Sequence, residues 1–232
     1  MSFHQPKYYT EPINEGDLTV ILLTLNKPPH HWQEFHRQKL LEAIGDRPLI
    51  IVSKEPLDWN RPNTTYLIQE EPIRDVDLRL HNIYFQLRRA VELVKTPYLA
   101  TVDDDCLYPA EHFDTFRPPL DKFCYNYCRW LTNEWNKDDP FYYHAPTPDN
   151  PTMIAPTQKL LNCMTGVTTF SRGTIKYLID FVPFYTLKPV VCINHLNGLM
   201  GGGVRHVKKP WPVRALSIPK WGLASDVLNE WR

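Results

Sequence analysis

Apolar β-branched runs alternate with helix-periodic segments through roughly the first hundred residues, and that alternation constrains the fold more than any other feature. DLTVILLTLN, from Asp17 to Asn26, is apolar on both faces, as a strand buried between two layers must be. RPLIIVSKEP (Arg47 to Pro56) and TTYLIQEEP (Thr64 to Pro72) repeat the pattern, and YLATV gives a fourth strand. Between the first two lies HHWQEFHRQKLLEAIG, with Trp32, Phe35, Leu41 and Ile44 at helical spacing and Gly45 as C-cap. Before the fourth, Val76, Leu80, Ile83, Leu87, Val91 and Val94 form one stripe; Asp75 supplies an N-cap and Thr96-Pro97 a stop. These signals predict an α/β domain with a mostly parallel central sheet flanked by helices. In such sheets ligands bind beyond the carboxyl ends of the strands. Thr24-Leu25-Asn26 and Asp103-Asp104-Asp105 both fall at such ends.

After Pro109 the pattern changes. KFCYNYCRWL alternates and reads as one strand of antiparallel type. Asn133 to Lys159 is proline-rich and aperiodic, a pattern that goes with functional loops. CMTGVTTFSRG reads as strand and turn, TIKYLIDFV as a short helix, and VVCINHLNGLMGGGVRHVKKPW as helix, glycine turn and final strand. With no repeat and no linker, one domain over residues 1–232 is expected.

Composition excludes several classes. Lys and Arg together number 26, as do Asp and Glu, so no broad field draws in nucleic acid or anionic membrane. Basic side chains do gather late, at Lys188, Arg205, Lys208, Lys209, Arg214, Lys220 and Arg232. The 5 cysteines are odd in number and lack a CxxC, which fits neither a disulfide framework nor a zinc ribbon. No run approaches the roughly 18 apolar residues of a membrane span, and the polar N-terminus is no signal peptide. A cytoplasmic chain without integral membrane association is the expectation.

Three adjacent carboxylates at the end of a buried strand repel one another. A hard divalent cation relieves that repulsion, and Mg²⁺ and Mn²⁺ keep coordination positions open for phosphate oxygens. The alternative is a solvated acidic turn. The stretch YLATVDDDCLYP resembles the DxD region of GT-A fold, nucleotide-sugar-dependent glycosyltransferases, and the likeness runs from Leu18 to Pro109. Such enzymes carry an Arg-Asn pair in the preceding helix; here Asn82 matches and His81 replaces the arginine.

The resemblance implies a single GT-A domain, with residues 17–109 binding a nucleoside diphosphate sugar (a UDP-sugar favoured) and residues 110–232 binding the acceptor. It implies Mn²⁺ or Mg²⁺ at Asp103, Asp105 and His206, and donor contacts from Thr24, Asn26, Arg79, Asn82, Asp103 and Asp104. Thr165 and Gly166 would lie near the acceptor. The acceptor is a glycan or, as in phage-type DNA-modifying members, hydroxymethylated DNA. Where inverting members carry an acidic pair, this chain has Asn194-His195. His195 then becomes the candidate general base of an inverting enzyme, because an imidazole titrates near neutral pH, or else the enzyme is retaining and needs no such base; Asp104, which would assist the donor or the metal contact, is the other catalytic candidate. Trp130, Trp135, Phe141, Tyr142 and Tyr143 are either packing residues or a stacking surface for an acceptor sugar or base, with Tyr143 the candidate contact. A nucleotidyltransferase is a competing reading, weakened by the lack of a glycine in TLNKPPHHW; a non-catalytic nucleotide- or glycan-binding module is another.

Overall fold

The computed structural model describes residues 14–70, 79–136, 138–167, 180–195 and 213–232. Strands β1 (Leu18–Thr24), β2 (Leu49–Ser53), β3 (Thr64–Ile68) and β4 (Tyr98–Asp103) alternate with helices α1 (His30–Ile44) and α2 (Arg79–Val91). Next come β5 (Cys106–Leu107), α3 (Glu111–Asp114), β6 (Phe123–Asn126), β7 (Arg129–Asn133), β8 (Tyr142–His144), β9 (Met153–Pro156) and α4 (Thr157–Met164). The chain ends with β10 (Phe181–Phe184), β11 (Val190–Asn194), β12 (Arg214–Ala215), β13 (Ser217–Ile218), β14 (Gly222–Leu223) and α5 (Ala224–Trp231).

The expected α/β architecture is present. A seven-stranded sheet runs β10-β6-β9-β4-β1-β2-β3. β1 to β4 are mutually parallel where they pair, and β9 lies antiparallel to both β4 and β6. Neighbouring residues of β1 serve opposite layers, which is why it is apolar on both faces. Val20 and Leu22 pack with Leu40 and Ile44 of α1; Ile21 packs with Leu87 and Val91 of α2. Gly45 closes α1 at φ 57°, with its N–H donating to the Leu41 carbonyl at 3.2 Å. The buried face of α1 carries Trp32, His36, Leu40 and Ile44. Phe35 and Leu41, assigned to that face from spacing, are half-buried instead. A histidine at a core position interrupts the apolar pattern from which the stripe was read.

A second sheet of five strands runs β12-β8-β7-β11-β5. KFCYNYCRWL, expected as one strand, is two strands in different sheets. Asn126 Oδ1 accepts from the Cys128 N–H at 2.9 Å, and this turn sends the chain from β6 into β7. VVCIN, expected as helix, is strand β11, parallel to β7 and antiparallel to β5. Its apolar residues feed a packed layer, which a short run cannot signal by period alone. Cys163 and Met164, expected in a strand, end α4, and Phe181 and Val182 begin β10 rather than ending a helix. The supposed loop from Asn133 contains β8 and β9. Arg117, fully buried, donates to Asp17 Oδ1 from Nη2 at 2.8 Å and ties the entry of β1 to the segment after α3. Removing one partner of such a pair costs about 3–5 kcal/mol.

Candidate active site

The Asp triplet stands where the chain leaves one sheet for the other. Asp103 ends β4, Asp104 and Asp105 turn, and Cys106 begins β5. In the large sheet β1 has β2 on one side and β4 on the other, so connections leave in opposite directions there. A crevice opens outside the carboxyl ends of strands at such a switch point. Thr24, the last residue of β1, donates its hydroxyl to Asp104 Oδ2 across it. The Asn26 N–H donates to Thr24 Oγ1 at 2.9 Å, and Asn26 Oδ1 accepts from the Glu55 N–H at 3.0 Å. Asn26 has φ 55°, a left-handed value that asparagine tolerates well. Gln69 Nε2 adds a donor to the Thr24 carbonyl at 2.9 Å.

The second sheet supplies the other wall. Pairing of β5 with β11 lets the Ile193 N–H donate to the Asp105 carbonyl at 2.9 Å. Two residues later His195 Nε2 lies 3.3 Å from Asp105 Oδ2. Trp231 of α5 packs its ring 4.8 Å from the imidazole and 5.0 Å from Trp32. Trp32, wholly buried, donates from Nε1 to the Asp104 carbonyl at 2.7 Å. Trp231 Nε1 donates to Glu134 Oε2 at 3.1 Å. Trp32 was read only as a helix-face residue, and Trp231 and Glu134 carried no signal at all. They meet the site through strand and helix packing that no local motif encodes.

Crowding shapes the electrostatics. Burial, then the charges of Asp105, Asp149 and Asp104, push the Asp103 carboxyl well above its ordinary value, and Arg129 opposes them. Burial and then Asp105 raise Asp104 to about 7, against the Thr24 hydrogen bond. Burial alone would lower His195, but the Asp105 hydrogen bond and the charges of Asp105, Asp104 and Glu134 outweigh it and raise the imidazole. Among the described residues no donor reaches the Asp103 carboxylate, whereas Asp105 faces both His195 and the Cys106 thiol, 3.2 Å from Oδ1. Asp103 and Asp104, raised first by burial and then by neighbouring negative charge, suit a hard cation, which would stabilise their charged forms. Yet among the described residues no group of three or more His, Cys, Asp or Glu side chains forms a ready metal cluster.

The structure brings together Thr24, Asn26, Asp103, Asp104, Asp105 and His195. Asn82 lies in α2 and is engaged with Gln86, whose Nε2 donates to Asn82 Oδ1 at 3.1 Å. Arg79 begins that helix, its side chain outside the described residues, and His206 lies outside them entirely. Thr165 and Gly166 are not brought to the triplet. They follow α4, whose first N–H bonds the Pro97 carbonyl just before β4, and Arg88 in the last turn of α2 holds the Val167 carbonyl at 3.1 Å. That is the opposite end of β4 from the aspartates. Tyr143 is 3% exposed, and its hydroxyl is engaged with Asn133 and Asn194, so it braces β11 from within and offers no open face. Cys106 is a buried small residue, as expected.

No helix among the described residues is long and apolar enough to cross a membrane. No family model and no curated protein matches the sequence. Solved structures do match the fold. The mannosyltransferase PcManGT from Pyrobaculum calidifontis, in complex with GDP-Man and Mn²⁺, overlays at a TM-score of 0.51 with 15% identity. The overlay covers 82% of this chain and 60% of that one, so this chain spans well under two thirds of its neighbour. TarS 1-349 of S. aureus overlays at 0.46 with 12% identity, covering 76% of this chain and 60% of that one. The apo-form glycosyltransferase GlyE of Streptococcus pneumoniae TIGR4 overlays at 0.42 with 9% identity, covering 74% and 45%. The sheet, its switch point and the PcManGT overlay show that this chain shares a Rossmann-like α/β fold with that mannosyltransferase.

Proposed function

We propose that this protein is a glycosyltransferase that moves a sugar from a nucleoside diphosphate donor to a hydroxyl acceptor, with a divalent cation at the Asp triplet. The observation that carries the reading is the convergence of Thr24, Asp103 to Asp105 and His195 at the β1/β4 switch point. PcManGT, of the same fold, binds GDP-Man and Mn²⁺, which supports both a nucleotide-sugar donor and a metal. Asp103, with its neighbours Asp104 and Asp105, would hold the cation. Once bound, Mn²⁺ or Mg²⁺ neutralises the charge that gathers on the departing diphosphate.

The chain's own groups do the rest. Thr24 fixes Asp104, and the Asn26 turn shapes the nucleotide side of the crevice. His195 takes the proton of the acceptor hydroxyl as its oxygen bonds the anomeric carbon and the carbon–phosphate oxygen bond breaks. Asp105 holds the ring and stabilises the imidazolium that forms. The donor half is assigned to residues 17–109 and the acceptor half to residues 110–232.

The test is a thermal-shift series of nucleoside diphosphates, with and without Mn²⁺, on the wild-type chain and on Asp105→Ala. Stabilisation that needs nucleotide and metal together, and is lost in the variant, supports the reading and names the base. No shift with any nucleotide would leave the triplet an acidic turn and overturn it.

A further inference from the structure

Five aromatic residues of the central segment were candidates for an acceptor surface, and the fold separates them. Tyr142 and Tyr143 are core. Trp130 packs on His144 with ring centroids 5.2 Å apart, and Phe141 lies beneath the Arg214 guanidinium at 4.6 Å. Trp135 differs, remaining 40% exposed. It sits in the turn that ends β7, closed by the Asn136 N–H donating to the Asn133 carbonyl at 3.1 Å.

That turn stands beside the candidate base. β7 and β11 are parallel with Asn133 opposite Asn194, and the Glu134 N–H donates to the Asn194 carbonyl at 3.0 Å. Glu134 also accepts from Trp231, whose ring lies against His195. Trp135 is thus the next residue outward from the one that braces the wall of the site. A large indole left open on a catalytic rim is a ready platform for the C–H face of a sugar ring. The local charge narrows the partner further. Glu134 precedes Trp135, and Lys137, Asp138 and Asp139 follow it, the two aspartates exposed, so the stretch from 134 to 139 carries three acids against one base. A polyphosphate backbone is repelled from such a rim.

We propose that Trp135 is the acceptor platform and that it stacks an uncharged saccharide, which makes the acceptor a glycan and not DNA. This rests on the glycosyltransferase reading. The experiment uses the full chain with Mn²⁺ and whichever nucleotide sugar it hydrolyses in the absence of acceptor. Transfer is then measured to a panel of methyl hexosides and to duplex DNA bearing hydroxymethylcytosine, for wild type, Trp135→Ala and Trp135→Phe. The expected result is transfer to a hexoside, with Trp135→Ala raising the acceptor KM by at least about ten-fold. Donor hydrolysis and melting temperature stay unchanged, and Trp135→Phe recovers most of the loss. A chain that hydrolyses donor yet transfers to no hexoside, or transfers preferentially to the DNA, overturns the proposal. So does an acceptor KM unmoved in Trp135→Ala. Failure of the wild type to bind or hydrolyse any nucleotide sugar would instead strike the underlying reading, and this proposal with it.

Discussion

His195 Nε2 lies 3.3 Å from Asp105 Oδ2, two residues 90 positions apart that the antiparallel pairing of β11 with β5 brings together. A general base held by a carboxylate contributes about 10²–10⁴-fold to proton transfer. His195→Ala should therefore lose transfer within that range while metal-dependent nucleotide binding persists in a thermal-shift assay. A base works unprotonated, so kcat/KM should rise with pH through the raised imidazole pKa. Asp105→Asn removes the principal favourable partner of the imidazolium, and its inflection should move to lower pH.

Trp32 makes a separate prediction. Its indole N–H is the donor to the Asp104 carbonyl, beside an edge contact with the ring of Trp231. Trp32→Phe keeps an aromatic ring but leaves that carbonyl without its donor, at a cost of about 1–3 kcal/mol. For a chain of this size each kcal/mol lowers the melting temperature by roughly 2–4 °C. Calorimetry should show that fall, and nucleotide with Mn²⁺ should stabilise the variant less than the wild type, because the turn carrying the aspartates is loosened.

Acid sensitivity should trace in part to His112. Burial, with Arg117 nearby, lowers this imidazole from 6.5 to about 3, and its Nε2 has no partner among the described residues. The unfolded chain takes up that proton near 6.5 while the folded one refuses it. Stability is therefore fully present above 6.5 and falls as the pH drops toward 3, by up to about 1.4 kcal/mol per pH unit. The raised Asp103 and Asp104 act in the opposite sense, their cost growing as the pH rises above the ordinary carboxylate range, for Asp104 up to about 7. The decisive quantity is thus a difference. Denaturation midpoints from pH 7 to pH 4 should decline less steeply in His112→Gln than in the wild type, whatever the variant's stability at neutral pH.

The alternation of apolar runs with helical stripes carried the first half of the fold in plain view. β1 and β2 must be apolar on both faces because helices cover both, and Gly45 marks a real left-handed cap. The second half was harder to read. A strand such as Val190–Asn194 is five residues long and has the same composition as a buried helical turn, and the β6–β7 run hides its change of sheet in one asparagine turn. His36 and Tyr143 show the same limit at single residues: burial is fixed by what packs around a position, and a polar or amphipathic side chain does not announce it.

Within the site, the sequence by itself determined the carboxylates and their place at a strand end, because three adjacent aspartates after a buried run are a local pattern. It also put Thr24 and Asn26 at the end of β1. Only the tertiary structure decided what those groups face. The β5–β11 pairing sets His195 against Asp105, packing of α5 against α1 sets Trp231 between His195 and Trp32, and the end of α4 carries Thr165 and Gly166 away from them. The physical reason is sequence separation. Contacts such as Thr24 to Asp104 form only when distant strands register side by side, and register follows from the packing of whole sheet faces, not from the residues at either end of the contact.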